Sequence, residues 1–309
     1  MIKGPEERSV PELLETGIVI LDKPPYANSH EVAVWVRRIL HVRKSGHAGT
    51  LDPMVTGVLP VGLNRATALL HYLTKKEKVY VGIIRFSEPQ TLENVQKMFD
   101  AFTGEIVQLP PRKCAVKRVP RKRTVYYFNA LEIDERGKDV LFEVKCQAGT
   151  YVRALVRDIA YKFGVHTRLM ELRRTAVGHI TEDLAHTLQE LVDAYWFYET
   201  MNDETFLRKV VQPVEKVMDL PTVTVNNNAI LSLTHGAPLY APGVVSVDRF
   251  RAGDVIAVIT ESGTLVEVAR AVYDSDEMLK MEKGKVADPV RVILHPEDLT
   301  VKDRTDSRG

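Results

Sequence analysis

From about Leu220 onward the chain changes texture, and this constrains its architecture more than any other feature. Short β-type runs occupy residues 222–225 (TVTV), 237–247 (APLYAPGVVSV), 254–260 (DVIAVIT), 264–272 (TLVEVARAV) and 290–294 (VRVIL), with glycines between them. Strand-length runs packed this closely fit a small β-barrel or sandwich. A chain of 309 residues can bury one large core or two moderate ones. A boundary is therefore expected near residue 218. The expected organisation is an N-terminal extension over residues 1–15, a larger domain over 16–218, a β-rich domain over 219–298 and a tail over 299–309.

The larger domain reads as mixed helix and strand. An apolar strand at residues 18–21 ends at Asp22-Lys23-Pro24-Pro25. Ser29 is expected to cap a helix running to about Leu40, with Val32, Trp35, Val36 and Ile39 on its buried face. A strand follows near residues 79–86, then a helix capped by Thr91 and ending near Gly104. Strands at 124–133 and 140–147 flank a turn at Glu135-Arg136-Gly137-Lys138. In the second, Phe142, Val144 and Cys146 alternate with Leu141, Glu143, Lys145 and Gln147, as in a sheet with unequal faces. Thr150 is expected to cap the next helix, whose core stripe is Val152, Leu155, Val156, Ile159 and Phe163 and which Gly164 closes. A strand near 175–180 leads to a helix over 184–198.

Between these elements lies RKSGHAGTLDPMVTG, with three glycines, a proline and almost no periodicity. A long structured loop in a compact domain is often functional. Pro53 restricts Asp52 to extended backbone geometry. An acid presented this way can act as nucleophile, general base or metal ligand, or can simply close a solvated turn.

Composition narrows the options. Forty-two Lys and Arg nearly balance 41 Asp and Glu, so bulk charge names no partner. Charge distribution is more informative: Arg112, Lys113, Lys117, Arg118, Arg121, Lys122 and Arg123 form a basic segment without an acid, which is expected either to touch a nucleic-acid backbone or to be a solvated loop. Cys114 and Cys146 are the only cysteines, too few for a disulfide framework or a cysteine-rich zinc site. No apolar run approaches the ~20 residues of a membrane span, and MIKGPEERSVPELLE lacks a signal-peptide core. Cytoplasmic residence without membrane association is expected. No Walker string, dinucleotide fingerprint or His-Glu-x-x-His motif suggests a cofactor or metal.

The string Gly46-His47-Ala48-Gly49-Thr50-Leu51-Asp52-Pro53 resembles the catalytic motif of the TruB family of pseudouridine synthases, in which the aspartate is catalytic. Further stretches match in the same order. Leu21-Asp22-Lys23-Pro24 resembles the first motif, whose Lys and Pro support the catalytic loop. Tyr80 stands where the family has a base-contacting tyrosine. Gly149-Thr150-Tyr151-Val152-Arg153 resembles the motif whose arginine pairs with the aspartate, and LMELRRT the one whose leucine, here Leu172, lines the pocket. Physics adds weight to Arg153: a cation in the first turn of a helix is disfavoured, and a nearby carboxylate would offset that.

The resemblance implies an α+β fold: a catalytic domain on a mixed, mainly antiparallel sheet, plus a small β-rich PUA barrel. His235-Gly236-Ala237, Gly243 and Ala252-Gly253-Asp254 carry the PUA resemblance. It implies catalytic roles for Asp52, Tyr80 and Arg153, support from Lys23, Pro24, His47, Tyr151 and Leu172, and RNA contacts at His235 and Gly236; Arg121 and Lys122 are RNA-contact candidates by their charge alone. It implies no cofactor. One departure is plain: the first motif usually continues Pro-x-Gly-x-Thr-Ser, and here reads Pro24-Pro25-Tyr26-Ala27-Asn28-Ser29.

Only a short segment joins the strand at 79–86 to the following helix, where bacterial members carry a longer tRNA-gripping insertion. That resembles the dyskerin-type, archaeal branch, and implies H/ACA guide RNA, substrate rRNA or tRNA, and small ribonucleoprotein subunits as partners. The alternatives are a stand-alone tRNA uridine-55 synthase and a non-catalytic PUA scaffold. Pseudouridine formation breaks the N1–C1′ bond and joins C5 to C1′, so the nucleotide must be flipped into a pocket. The carboxylate can attack C1′ or remove a sugar proton; the sequence leaves both open.

Overall fold

The computed structural model describes residues 2–110 and 119–299. Of the basic segment, Arg112, Lys113, Lys117 and Arg118 lie outside the described residues, as do Cys114 and the tail beyond Leu299. The chain divides into two compact units. One comprises residues 19–62 and 69–210; the other gathers residues up to 18, residues 63–68 and those from 211 onward.

The chain order begins with α1 (Val10–Thr16), β1 (Gly17–Lys23), α2 (Ser29–Ile39), β2 (Ser45–His47) and β3 (Thr56–Leu63). Then come α3 (Leu70–Thr74), β4 (Lys78–Phe86), α4 (Leu92–Asp100) and β5 (Gly104–Gln108). The hairpin β6 (Arg121–Ile133) and β7 (Asp139–Cys146) precedes α5 (Val152–Phe163) and β8 (Thr167–Val177). The two-residue β9 (Ile180–Thr181) and helices α6 (Leu188–Met201) and α7 (Thr205–Val210) complete the series.

The large sheet runs β1-β3-β8-β4-β7-β6-β5. It is mainly antiparallel, as expected: β4 pairs antiparallel with both β7 and β8, and β6 with both β5 and β7. The parallel contact of β3 with β8, Thr56 opposite Arg173 and Gly57 opposite Arg174, brings the end of the catalytic-motif loop to the centre of the sheet. Only glycine fits there: a Cβ on Gly57, whose φ is 99°, would stand 2.2 Å from the Arg174 carbonyl oxygen. One face carries a core of Phe86, Phe99, Phe128, Phe142, Leu155 and Ile159, with the Phe99 and Phe128 rings stacked at 3.8 Å between centroids. Leu51, Val55 and Leu172 belong to the same cluster, so the site rests directly on packed hydrophobic side chains.

Several local expectations are corrected. Asn28, not Ser29, caps α2: its side chain accepts from the Glu31 amide, and Glu31 bonds back to the Asn28 amide. Trp35 is 38% exposed, whereas Ala33 and Leu40 are buried. Tyr151, not Thr150, is the α5 cap residue, and the Thr150 hydroxyl donates instead to the Gln147 carbonyl at 2.7 Å. Phe163 is exposed at the end of α5, with the Lys162 ammonium 5.7 Å from its ring centroid. Strand β5 falls where only a helix end was expected.

In the other unit, β10 (Val211–Pro213) and α8 (Val214–Val217) precede a sheet of β11 (Thr222–Val225), β12 (Leu239–Tyr240), β13 (Val244–Val247), β14 (Val255–Thr260), β15 (Leu265–Ala271) and β16 (Lys285–Val292). Helices α9 (Asn227–Thr234) and α10 (Ser275–Met278) interrupt the series. The order is β12-β16-β15-β14-β11-β13, with β11 parallel to β14. The run expected over 237–247 is two strands, split at residues 241–243, and α9 was not foreseen. Val223, Ile230, Phe250, Ile256, Val258, Val266 and Val286 fill the core.

Among the described residues no helix is long and apolar enough to cross a membrane. None of them form a His, Cys, Asp or Glu group that could hold a metal ion.

Candidate active site

Residues 48–55 link β2 to β3, and almost every turn of this loop is tied down. The Ala48 amide donates to the Pro60 carbonyl at 2.9 Å. The Leu51 amide donates to the Ser29 hydroxyl at 2.8 Å, and that hydroxyl lies 3.2 Å from the Leu51 carbonyl. Ser29, freed from capping, thus joins the first turn of α2 to the loop. The Pro53 carbonyl accepts from the Tyr26 amide at 2.9 Å and from Lys23 Nζ at 3.0 Å.

Lys23 is fully buried, and its ammonium also donates to the carbonyls of Pro24 and Ala27, both at 2.7 Å. Its three N–H bonds therefore each have an acceptor. Burial lowers its pKa, while the charge of Asp52 acts in the opposite direction. The Lys-Pro motif is thus a clamp on the catalytic-motif loop.

With the backbone held on both sides, the Asp52 carboxylate projects outward, 43% exposed. Arg153 meets it in a two-point contact, Nε to Oδ2 at 2.8 Å and Nη2 to Oδ1 at 3.0 Å. Arg153 is the second residue of α5, as its predicted place in a first helical turn required. Gln108, buried at the end of β5, fixes that helix start: its amide exchanges hydrogen bonds with the Tyr151 backbone at 3.0 and 3.2 Å. Gln108 was not anticipated, because nothing in its sequence neighbourhood marks it.

Tyr80 on β4 stands opposite Arg174 on β8, and Gly82 opposite Leu172. Tyr80 is half-buried against the hydrophobic cluster, so it borders the core without belonging to it. Arg174 is the chief residue missed. It is 1% exposed, and donates from Nε to the Val58 carbonyl at 2.8 Å and from Nη2 to the Gly49 carbonyl at 3.1 Å. It also bonds the Tyr80 hydroxyl. Burial raises the Tyr80 pKa, and Arg174 opposes this rise. The phenol is therefore protonated at neutral pH. The signal was present in LMELRRT: strand alternation puts Arg174 on the same face as Leu172 and Ala176, an inward position for a guanidinium.

His47 is partly buried, and burial together with the positive surroundings of His30 and Arg174 lowers its pKa. Its Nδ1 is enclosed without a hydrogen-bond partner. Tyr26 occupies the position of the departed glycine and keeps a glycine-like backbone, with φ at 69°. For a tyrosine that conformation costs about 1–2 kcal/mol.

Lys122 is exposed and pairs with Glu105 across β5 and β6 at 2.9 Å, so an acid does face the basic segment. Arg123 packs over Gly149, its Nη1 donating to the Lys122 carbonyl at 2.7 Å. His235 and Gly236 end α9: His235 Nδ1 lies 2.8 Å from the Leu231 carbonyl, and Gly236 takes φ 81° to turn the chain.

Comparison with known proteins places these features in a wider group. Residues 37–152 match the TruB family pseudouridylate synthase N-terminal domain, residues 153–219 the tRNA pseudouridylate synthase B C-terminal domain, and residues 221–293 the PUA domain. A probable tRNA pseudouridine synthase B of Pyrobaculum calidifontis is 43% identical over 94% of this chain and 88% of its own length. The corresponding protein of Archaeoglobus fulgidus is 41% identical, over 94% and 89%. Among solved structures, a Cbf5–Nop10–Gar1 complex contains a chain that is 40% identical with a TM-score of 0.87, covering 96% of this chain and 90% of that one. An H/ACA ribonucleoprotein bound to a substrate RNA containing 2′-deoxyuridine gives 37% identity and a TM-score of 0.88, over 96% and 91%.

Proposed function

The chain belongs to the TruB family of pseudouridine synthases, and we propose that it isomerises uridines selected by an H/ACA-type guide RNA, using Asp52 as the catalytic carboxylate. One observation supports the assignment most: an outward-facing carboxylate on a pinned loop, held by the two-point contact with Arg153. Such a fork fixes carboxylate orientation as well as charge. Asp52 would attack C1′ or take a sugar proton once the nucleotide has been flipped out. Tyr80 would stack on the uracil, Leu172 would line the pocket, and Tyr151 would set the start of α5. Lys23, Pro24 and His47 would hold the loop.

The guided reading draws on the resemblance to chains solved within H/ACA assemblies. The partners proposed are a guide RNA, substrate rRNA or tRNA, and small protein subunits, acting in the cytoplasm. Residues 16–218 would carry the chemistry and residues 219–298 would anchor the guide, with His235 and Gly236 near the contact. Arg121 and Lys122 would meet RNA phosphates.

A second reading, stand-alone modification of tRNA, is favoured by the description of the curated relatives as probable tRNA pseudouridine synthases B. The purified chain, assayed on tRNA and on a guide-paired target with and without partner proteins, separates the two. Turnover that requires the guide supports the first. Fast turnover on bare tRNA without guide or partners replaces it with the second.

A further inference from the structure

Tyr26 combines two costs that the fold does not require. Its backbone is left-handed at φ 69°, a region in which bulky side chains are rare. Its side chain is then left in water, the residue being 79% exposed. Backbone strain and an exposed aromatic at one position, with no packing gained in return, mark a residue retained for a contact outside the chain. Its location narrows that contact. The Tyr26 amide donates to the Pro53 carbonyl at 2.9 Å, one residue from Asp52, and the buried Lys23 grips that same carbonyl. The ring therefore stands on a rigid base at the edge of the site.

We propose that Tyr26 is a stacking platform for a nucleobase of the substrate RNA beside the flipped uridine. The inference rests on the RNA-modifying reading above. A target nucleotide leaving its stack exposes the faces of its neighbours, and a fixed aromatic ring covers such a face without regard to sequence. The phenol hydroxyl plays no part in this, so phenylalanine should serve equally well. An aliphatic side chain should not.

The substitution Tyr26→Gly is informative because it relieves the backbone strain while removing the ring. The full chain, with the guide and protein partners if turnover needs them, is compared with Tyr26→Gly, Tyr26→Phe and Tyr26→Leu. The substrate carries 2-aminopurine on either side of the target uridine. Tyr26→Gly should melt about 2–4 °C higher than wild type, yet bind substrate roughly ten-fold more weakly, with the loss in KM and not in kcat. Wild type and Tyr26→Phe should quench one 2-aminopurine; Tyr26→Gly and Tyr26→Leu should not. Unchanged affinity and unchanged quenching in Tyr26→Gly would overturn the proposal. So would equal performance of Tyr26→Leu and Tyr26→Phe, which would point to an apolar cover such as a protein partner. Pseudouridine formation by wild type is followed in parallel. Quenching without product would count against the catalytic reading and leave the stacking contact standing.

Discussion

Arg153 and Asp52 face each other through both carboxylate oxygens, at 2.8 and 3.0 Å, across 101 residues of sequence. Both side chains are more than two-fifths exposed, so the pair adds little to stability, about 0–1 kcal/mol. Its value lies in orientation. Arg153→Lys keeps the charge but loses the planar fork. It should leave the melting temperature within about 1–2 °C while lowering the single-turnover rate at saturating RNA by roughly ten-fold or more. Equal losses in rate and melting temperature would make the pair structural.

Tyr80 and Arg174 make a different prediction, because one partner is buried. Tyr80→Phe keeps the ring but strands a guanidinium N–H, at a cost of about 1–3 kcal/mol. Tyr80→Ala also removes the stacking surface. Tyr80→Phe should therefore be less stable than wild type and retain substrate affinity, whereas Tyr80→Ala should lose both. Thermal melting and RNA binding measured on the two variants check this. Wild-type stability in Tyr80→Phe would mean the Arg174 bond has been replaced at no cost.

Glu267 on β15 carries a pH prediction. It is fully buried, neither carboxylate oxygen has a hydrogen-bond partner, and burial pushes its pKa up to about 8. Folding thus favours the protonated acid over the ordinary form titrating near 4.5. Its contribution to stability is complete below that ordinary value and is lost as pH rises through about 8. Wild type should lose melting temperature between about pH 4.5 and about pH 8 relative to Glu267→Gln, whose side chain does not titrate, and the difference should level off above that. Superimposable pH profiles would contradict it.

Lys23 gives a fourth test. Lys23→Met removes three hydrogen bonds and leaves the carbonyls of Pro24, Ala27 and Pro53 without this donor. The loop bearing Asp52 should loosen, giving a loss of more than ~2 kcal/mol in stability together with reduced turnover. Unchanged stability would show that the clamp is dispensable.

Which features the sequence revealed follows from the range of the interactions involved. Alternation of Phe142, Val144 and Cys146 exposes a strand because its signal is local, and all three are buried as expected. Arg153 could be placed in a first helical turn for the same reason. The α2 cap was assigned one residue late because Asn28 and Ser29 are both good caps; the choice was settled by Leu51, 22 residues away, which engages the Ser29 hydroxyl. Trp35 fits the helical period, yet the sequence does not say how wide a face α2 buries. Gln108 and Arg174 escaped notice because their partners, Tyr151 and Gly49, lie 43 and 125 residues off. The substitution at Tyr26 was visible, but only the structure shows the glycine-like backbone preserved beneath it.

The most direct test of the central claim is release of the C5 hydrogen from RNA containing 5-tritiated uridine, under the conditions that support turnover, by wild type and by Asp52→Asn. Joining C5 to C1′ requires that hydrogen to leave, and the amide keeps the shape of Asp52 without its negative charge. Wild type should release tritium stoichiometrically with pseudouridine formed. Asp52→Asn should release it at less than about a hundredth of that rate, with RNA affinity unchanged within a few-fold. An Asp52→Asn variant that binds RNA and releases tritium at a rate comparable to wild type would contradict the assignment of Asp52.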